Sequence, residues 1–430
     1  MSKKSLAIIG SGISGLSAAV FLSNKYNVHL FEKNDVLGGH TRTKFIQDKI
    51  YDHNIDTGFI VFNEKNYPDF TNFLNFLKVK TSNSNMSFSF SCKSSNIEYG
   101  GSNIRSLFAQ PKNLFSINFL LLLKDIFIFF NLCKKIKKIN NFYDLTIEEF
   151  LNLKKYNNRI RDLHIYPMIS SIWSSNKRQV KNFPLILFLN FFRNHGLFNF
   201  ENRPQWKFIK EGSKSYIEAI LQKNLFKYDI NFKIKKVIRK NNIVNIINHK
   251  NILRSFDLVV FATHADQALK LLEAPTKNEL KILSEFKYTK NTAYLHSDLN
   301  FMPKHKAAWS SWNFLQNLKD EKVFSLTYWM NNLQNLKGQK NYFLSVNPSY
   351  QPNAVYDEVM YEHPIFNLKT IEAQKKIKTI QGLNNTYYCG SYCGYGFHED
   401  GIQSSAYVSN LLGISLPWTR NKNFYNRLNY

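Results

Sequence analysis

The stretch "SLAIIGSGISGLSAAVFLSNK" (5–25) decides how the chain is read. Residues 5–9 form a short apolar run of buried-strand type, and "LSAAVFL" after the glycines has helical spacing. Between them stands Gly10-Ser-Gly12-Ile-Ser-Gly15. Gly10 permits a tight turn, Gly12 lets backbone approach a pyrophosphate, and Gly15 lets helix and strand pack closely. The amino end of the helix then offers free N–H groups and a partial positive charge to phosphates. "NVHLFE" (27–32) supplies a second strand ending in Glu32, placed to accept hydrogen bonds from a ribose diol. Strand, glycine turn, helix, strand and acid in this order specify a dinucleotide-binding unit.

After a five-residue spacer beyond Glu32 a glycine pair opens "GGHTRT" (38–43), and "DTGFIVF" (56–62) follows. An acid, a short spacer and Gly38-Gly39 suit FAD, because a second loop then also approaches the pyrophosphate. Thr57, Gly58 and Phe59 would lay glycine backbone and an apolar side chain against an isoalloxazine ring.

On these residues the chain resembles the flavin-containing amine oxidase superfamily, which includes phytoene desaturases and protoporphyrinogen oxidases. It is most similar to a bacterial branch described as predicted NAD/FAD-binding proteins. The resemblance continues through "MSFSFS" (86–91), "PMISSIWSS" (167–175), "FATHADQALKLL" (261–272), "AAWSSWNF" (307–314), "YWMNNLQNL" (328–336) and "GFHEDGIQSSAY" (396–407). It implies an α/β fold: a discontinuous, FAD-binding Rossmann-like domain (1–80, 205–270 and 365–430) with an inserted α+β substrate domain (81–204 and 271–364). It implies cofactor contacts from Gly10, Gly12, Ile13, Ser14, Gly15, Glu32, Lys33, Gly38, Gly39, His40, Thr41, Arg42, Thr57, Gly58 and Phe59. Later contacts would come from Val237, through its backbone, and from Ala262, Thr263, Gly390, Asp400, Gly401 and Ile402. Two positions depart from the pattern. His40 stands where an arginine is usual, which leaves the pyrophosphate to Arg42, and Glu211 precedes Gly212-Ser213 where a second glycine is usual.

The far end of the chain completes that domain. "FDLVVFAT" (256–263) reads as a central parallel strand and "NTYYCG" (385–390) as the last one. A helix beginning at Asp400-Gly401 would aim its positive end at the flavin and stabilise negative charge there. His398, Glu399, Asp400 and Trp312 are the candidate catalytic residues. Trp312-Asn313 suits an apolar pocket with polar anchors.

Composition narrows the function classes. The chain has 430 residues, 44% hydrophobic and 20% charged, which suits a globular protein of more than one domain. Its net charge of +26 favours anionic partners. No nucleic-acid module or arginine-rich arm accompanies that charge, so no nucleic acid is expected. Four cysteines, with Cys389 and Cys393 in the wrong spacing for a metal pair, fit a reducing compartment and no metal site. "LFSINFLLLLKDIFIFFNLC" (114–133) is long enough to span a bilayer but carries Lys124 and Asp125 at its centre. It reads as a core helix, or as an interfacial one with Lys134, Lys135, Lys137 and Lys138 at lipid head groups.

The expectation is an FAD-dependent oxidoreductase that dehydrogenates or desaturates a small hydrophobic substrate, such as a lipid or fatty-acyl chain. It would be cytoplasmic, with peripheral membrane contact at the inner face. An amine oxidase and a flavin carrier without turnover are the alternatives. The electron acceptor stays open.

Overall fold

The computed structural model describes residues 3–136, 142–199, 201–316, 325–420, 424 and 426–428; Lys137 and Lys138 lie outside them. Five parallel strands make the first sheet: β1 (Ser5–Ile9), β2 (Asn27–Phe31), β3 (Lys227–Asp229), β4 (Leu258–Phe261) and β5 (Thr386–Tyr388), in the order β5-β4-β1-β2-β3. The register is set by Leu6 opposite both Val28 and Leu258, and by Val259 opposite Thr386.

Alternation along β1 explains the layering. Leu6 and Ile8 face a helical layer that includes Leu16 and Ile402, while Ala7 and Ile9 face Val244, Ile246 and Phe256 of a three-stranded antiparallel sheet. That sheet joins Ile234–Lys240, Ile243–Asn248 and Leu253–Phe256. Both faces of the parallel sheet are therefore covered, which is why its central strands β1 and β4 are almost wholly apolar.

Four helices matter below: α1 (Ile13–Leu22), α2 (Pro68–Phe76), α3 (Ile117–Lys135) and α4 (His398–Leu411). The last begins two residues before the expected Asp400. The Asp400 carboxylate accepts from the Phe397 N–H at 2.8 Å and fixes that start.

The second body is a seven-stranded mixed sheet running Val355–Ile365, Lys287–His296, Phe343–Val346, Ser325–Trp329, Trp312–Gln316, Phe88–Cys92 and Ile97–Gly100 in spatial order. Its one parallel junction pairs Phe314 with Phe90. Helices Tyr166–Trp173 and Leu185–Asn194 share its core with α3.

In α3 the buried residues Phe119, Leu122, Ile126, Phe129 and Cys133 form one face. Asp125 accepts from Arg159 at 2.7 Å, so the central acid is paired and Lys124 is turned to solvent. Among the described residues no helix is long and apolar enough to cross a membrane.

Candidate active site

The glycine turn has the sterics that its sequence requires. Gly10 sits at φ +100, and a Cβ on Gly15 would lie 1.9 Å from the Gly10 carbonyl oxygen. A Cβ on Gly12 would meet no atom within 4 Å, so open space faces the amino end of α1. No side chain caps that end.

Glu32 is buried and holds the turn itself. Its Oε2 accepts from the Ser11 N–H (3.0 Å) and hydroxyl (2.5 Å), and its Oε1 accepts from the Asn34 N–H (3.0 Å). The Gly38 N–H in turn donates to Ser11 O at 3.1 Å, tying the second glycine loop to the first. A carboxylate has about four acceptor sites, so Glu32 retains room for a ribose hydroxyl.

Ile13, Ser14 and Thr41 are buried, and Lys33 is exposed. Gly401 brings α4 against α1: a Cβ there would stand 2.7 Å from Ile13 Cγ2 and 2.8 Å from Ser14 Oγ. Ile402 is fully buried in the same contact. A Cβ on Gly58 would stand 2.0 Å from the His40 carbonyl oxygen. Ala262 follows β4 and donates its N–H to Ile9 O at 2.8 Å, while Thr263 donates to His264 O at 3.0 Å. The Gly390 N–H donates to Ser404 Oγ at 2.9 Å. Val237 lies in the three-stranded sheet with its carbonyl taken by the Glu273 N–H. Arg42 makes a two-pronged ion pair with Asp357 of the seven-stranded sheet, so its charge is already matched within the protein.

A cavity of about 240 Å³ opens against the seven-stranded sheet, bordered by Thr57, Gly58, Phe59 and the segment Gly396–His398. Of the four catalytic candidates, His398 and Trp312 line it and Glu399 and Asp400 do not. Glu399 is spent on α2: its two oxygens accept from the Asp69 N–H at 3.1 Å and the Phe70 N–H at 2.9 Å, capping that helix. Asp400 is fully buried, caps α4, and pairs with Arg427 at 3.5 Å. Burial raises the pKa of both carboxyls. Both acids thus stand outside the cavity wall: Glu399 is held by the backbone of α2, and Asp400 Oδ2 by the Phe397 N–H and Arg427.

His398 stacks on Phe59 with ring centroids 3.7 Å apart, and its Nε2 meets Thr41 Oγ1 at 3.0 Å. Desolvation holds it neutral, well below the ordinary histidine value. The indole N–H of Trp312 is buried without a partner among the described residues.

Sequence reasoning missed His363, which lines the cavity beside His40, ring centroids 5.4 Å apart. A chain of hydrogen bonds sets its tautomer. The Thr292 N–H can only donate, so Asn347 presents Oδ1 to it at 3.0 Å. Asn347 Nδ2 then donates to Asn291 Oδ1 (2.7 Å), and Asn291 Nδ2 donates to His363 Nδ1 (2.7 Å). With Nδ1 accepting, neutral His363 carries its proton on Nε2. Burial and the nearby His40 and His264 push its pKa down to about 3, so it stays an N–H donor at neutral pH. No local signal could reveal this arrangement, since Asn291 and His363 are 72 residues apart. On the strand Lys287–His296, Lys290 faces solvent and Asn291 faces inward.

His195 donates to or accepts nothing from the cavity; its Nδ1 meets Phe191 O at 2.9 Å within the core. All four cysteines are free and buried, and no metal-holding cluster occurs among the described residues.

Residues 8–77 match the family described as NAD(P)-binding Rossmann-like domain. No curated protein matches the chain. Solved structures do. A fatty acid isomerase from P. acnes, which produces CLA, superposes with TM-score 0.70 over 96% of this chain and 99% of its own, at 15% identity. A putrescine oxidase with bound putrescine gives 0.67 over 96% and 99% at 12% identity. Cyclohexylamine oxidase from Brevibacterium oxydans gives 0.65 over 96% and 100% at 14% identity. From end to end, then, the chain has the fold that these oxidases and the isomerase share, with a Rossmann-like dinucleotide domain at its front, and the resemblance to the amine oxidase superfamily holds at the level of fold.

Proposed function

We propose that the protein is an FAD-dependent oxidoreductase that dehydrogenates or desaturates a hydrophobic substrate. The observation that carries the reading is an apolar cavity, free of carboxylates in its lining, that abuts both glycine-lined backbone at Gly58 and the start of α4. The residues present fit the cofactor. Open space at Gly12, buried Glu32 and the tied loop at Gly38 suit a dinucleotide's phosphates and ribose. When bound, FAD supplies a two-electron acceptor for a C–H bond. The chain's own part is positional. Thr57, Gly58 and Phe59 border the ring's place, the amino end of α4 favours negative charge, and His363 offers Nε2–H to an acceptor in the cavity. Phe191 and Phe397, stacked at 5.2 Å, help to exclude water.

An amine substrate is the second reading, favoured by the two amine oxidases that share the fold. A protonated amine is usually met by a carboxylate, and the cavity wall has none. Anaerobic mixing of purified protein with fatty acids and with amines separates the readings. Fatty acids are expected to bleach the long-wavelength flavin band within turnover time, and bleaching by amines alone would overturn the lead.

Water-insoluble substrate has to be collected from a membrane, and α3 suits that contact. Its outer face shows Ile117, Leu120, Leu121 and Ile128, continued by Phe115 (88% exposed) and Ile104 (78%). Lys112, Lys124, Lys134 and Lys135 are exposed around them, which suits anionic lipid. Phe115→Asp with Ile117→Asp is expected to lower pelleting with phosphatidylglycerol vesicles at least about tenfold. Equal pelleting of the variant would remove this face from the reading.

A further inference from the structure

The charges around the cavity are lopsided. Its histidines are neutral: burial, with His264 nearby, pushes His40 down to about 4, and His363 and His398 are lowered as well. Among the described residues neither aspartate nor glutamate lines the wall, and the only lining residue with a permanent charge is Arg203. The apolar wall beyond it includes Met86, Phe88, Met168, Ile172, Leu197 and Leu344.

Arg203 also lacks the acidic partner that several arginines near the core possess. Arg159 pairs with Asp125 at 2.7 Å, Arg161 with Glu148 at 3.4 Å, Arg420 with Asp69 at 2.6 Å and Arg427 with Asp400 at 3.5 Å. Arg203 donates from Nε to the Asn199 carbonyl at 2.7 Å, and no acidic side chain pairs with it among the described residues. That one bond fixes the plane of the guanidinium and leaves both Nη groups available. Arg203 is exposed, yet its surroundings desolvate it enough to lower its pKa. A partly desolvated, unmatched guanidinium is costly until an anion completes it, and its fork suits two oxygens of one group.

We propose that Arg203 is the head-group anchor of the cavity, and that the ligand is a long apolar chain ending in an anion, a carboxylate or a phosphate monoanion. The tail lies along the Met, Leu and aromatic wall, and the anion stops at the rim. This names the substrate chemistry of the proposed oxidoreductase and rests on that reading for what happens in the cavity. A chain anchored at one end is held in fixed register, so the C–H bond that reacts lies a set number of carbons from the head. Amines are disfavoured by the same charge.

The test uses the FAD-loaded full chain and the fluorescent fatty acid cis-parinaric acid, displaced by oleate, oleyl alcohol, oleylamine or phosphatidylglycerol. Oleate is expected to displace the probe about 10–100-fold better than oleyl alcohol, as one charge-assisted, two-pronged contact implies. Arg203→Gln should remove that preference while leaving the alcohol unchanged, and Arg203→Lys should restore part of it. Stronger displacement by phosphatidylglycerol than by oleate identifies phosphate as the anion. Equal displacement by oleate and oleyl alcohol, best displacement by oleylamine, or an Arg203→Gln protein that still prefers oleate overturns the proposal. The two readings fail separately. A yellow protein indifferent to Arg203 keeps the oxidoreductase and loses the anchor. A protein that never takes up FAD yet binds oleate through Arg203 does the reverse.

Discussion

Gly12→Ala is expected to fold and melt like the parent protein and to lose FAD affinity by at least about a hundredfold, while Gly15→Ala fails to give a stable fold. The contrast follows from what each added methyl meets. At Gly12 nothing lies within 4 Å of the new Cβ, and the backbone there, φ −64 and ψ −179, accepts any L-residue. The methyl therefore stands in the space left for the pyrophosphate and blocks the close approach that binding requires. At Gly15 the methyl overlaps the Gly10 carbonyl oxygen at 1.9 Å. Helix α1 would have to move off β1, exposing Leu16 and Ile8. Overpacking of this kind costs about 3 kcal/mol or more when backbone rather than side chain must yield. Circular dichroism melting and flavin absorbance after gel filtration read the two effects apart. A Gly12→Ala protein that stays fully yellow would remove the dinucleotide from this turn.

Arg427→Met should destabilise the protein by about 3–5 kcal/mol near pH 7, the usual cost of stripping one partner from a buried ion pair. Arg427 is 2% exposed, and its guanidinium lies over the Tyr67 ring at 4.7 Å and donates to Asn66 O at 2.6 Å. Its positive charge opposes the desolvation that raises the Glu399 and Asp400 carboxyls. A carboxyl raised in the folded state adds stability below its unfolded value, about 4.3 for Glu, and loses it as pH rises through the folded value. Removing Arg427 raises both carboxyls further, so the loss grows with pH. Variant and parent should differ little near pH 4 and most above pH 7, which urea melts across that range would reveal. A pH-independent difference would mean that Arg427 contributes through packing alone.

Much of the dinucleotide half was legible because its signals are short-range. Glycine sterics at Gly10 and Gly15, the apolar runs of β1 and β4, and Glu32 at the end of β2 act within one strand–turn–helix unit or announce a buried strand by composition. Even there the register of α4 differed, since its start depends on Asp400 meeting the Phe397 N–H.

The candidate site was less legible. Glu399 and Asp400 looked chemical in a loop crowded with glycine, and the fold turned them into a cap for α2 and a partner for Arg427. Lys290 and Asn291 are neighbours in sequence, but strand pleating sends one to solvent and the other to His363. Arg203 resembles any surface arginine until the wall around it proves to lack acids.

The sequence alone determined where strand, turn and helix must come close together, because glycine's missing Cβ acts on neighbours a few residues away. Only the tertiary structure decided which charges are matched, which histidine nitrogen keeps its proton and which arginine lines the cavity without an acidic partner among the described residues. Desolvation and hydrogen bonding depend on atoms brought together from distant parts of the chain.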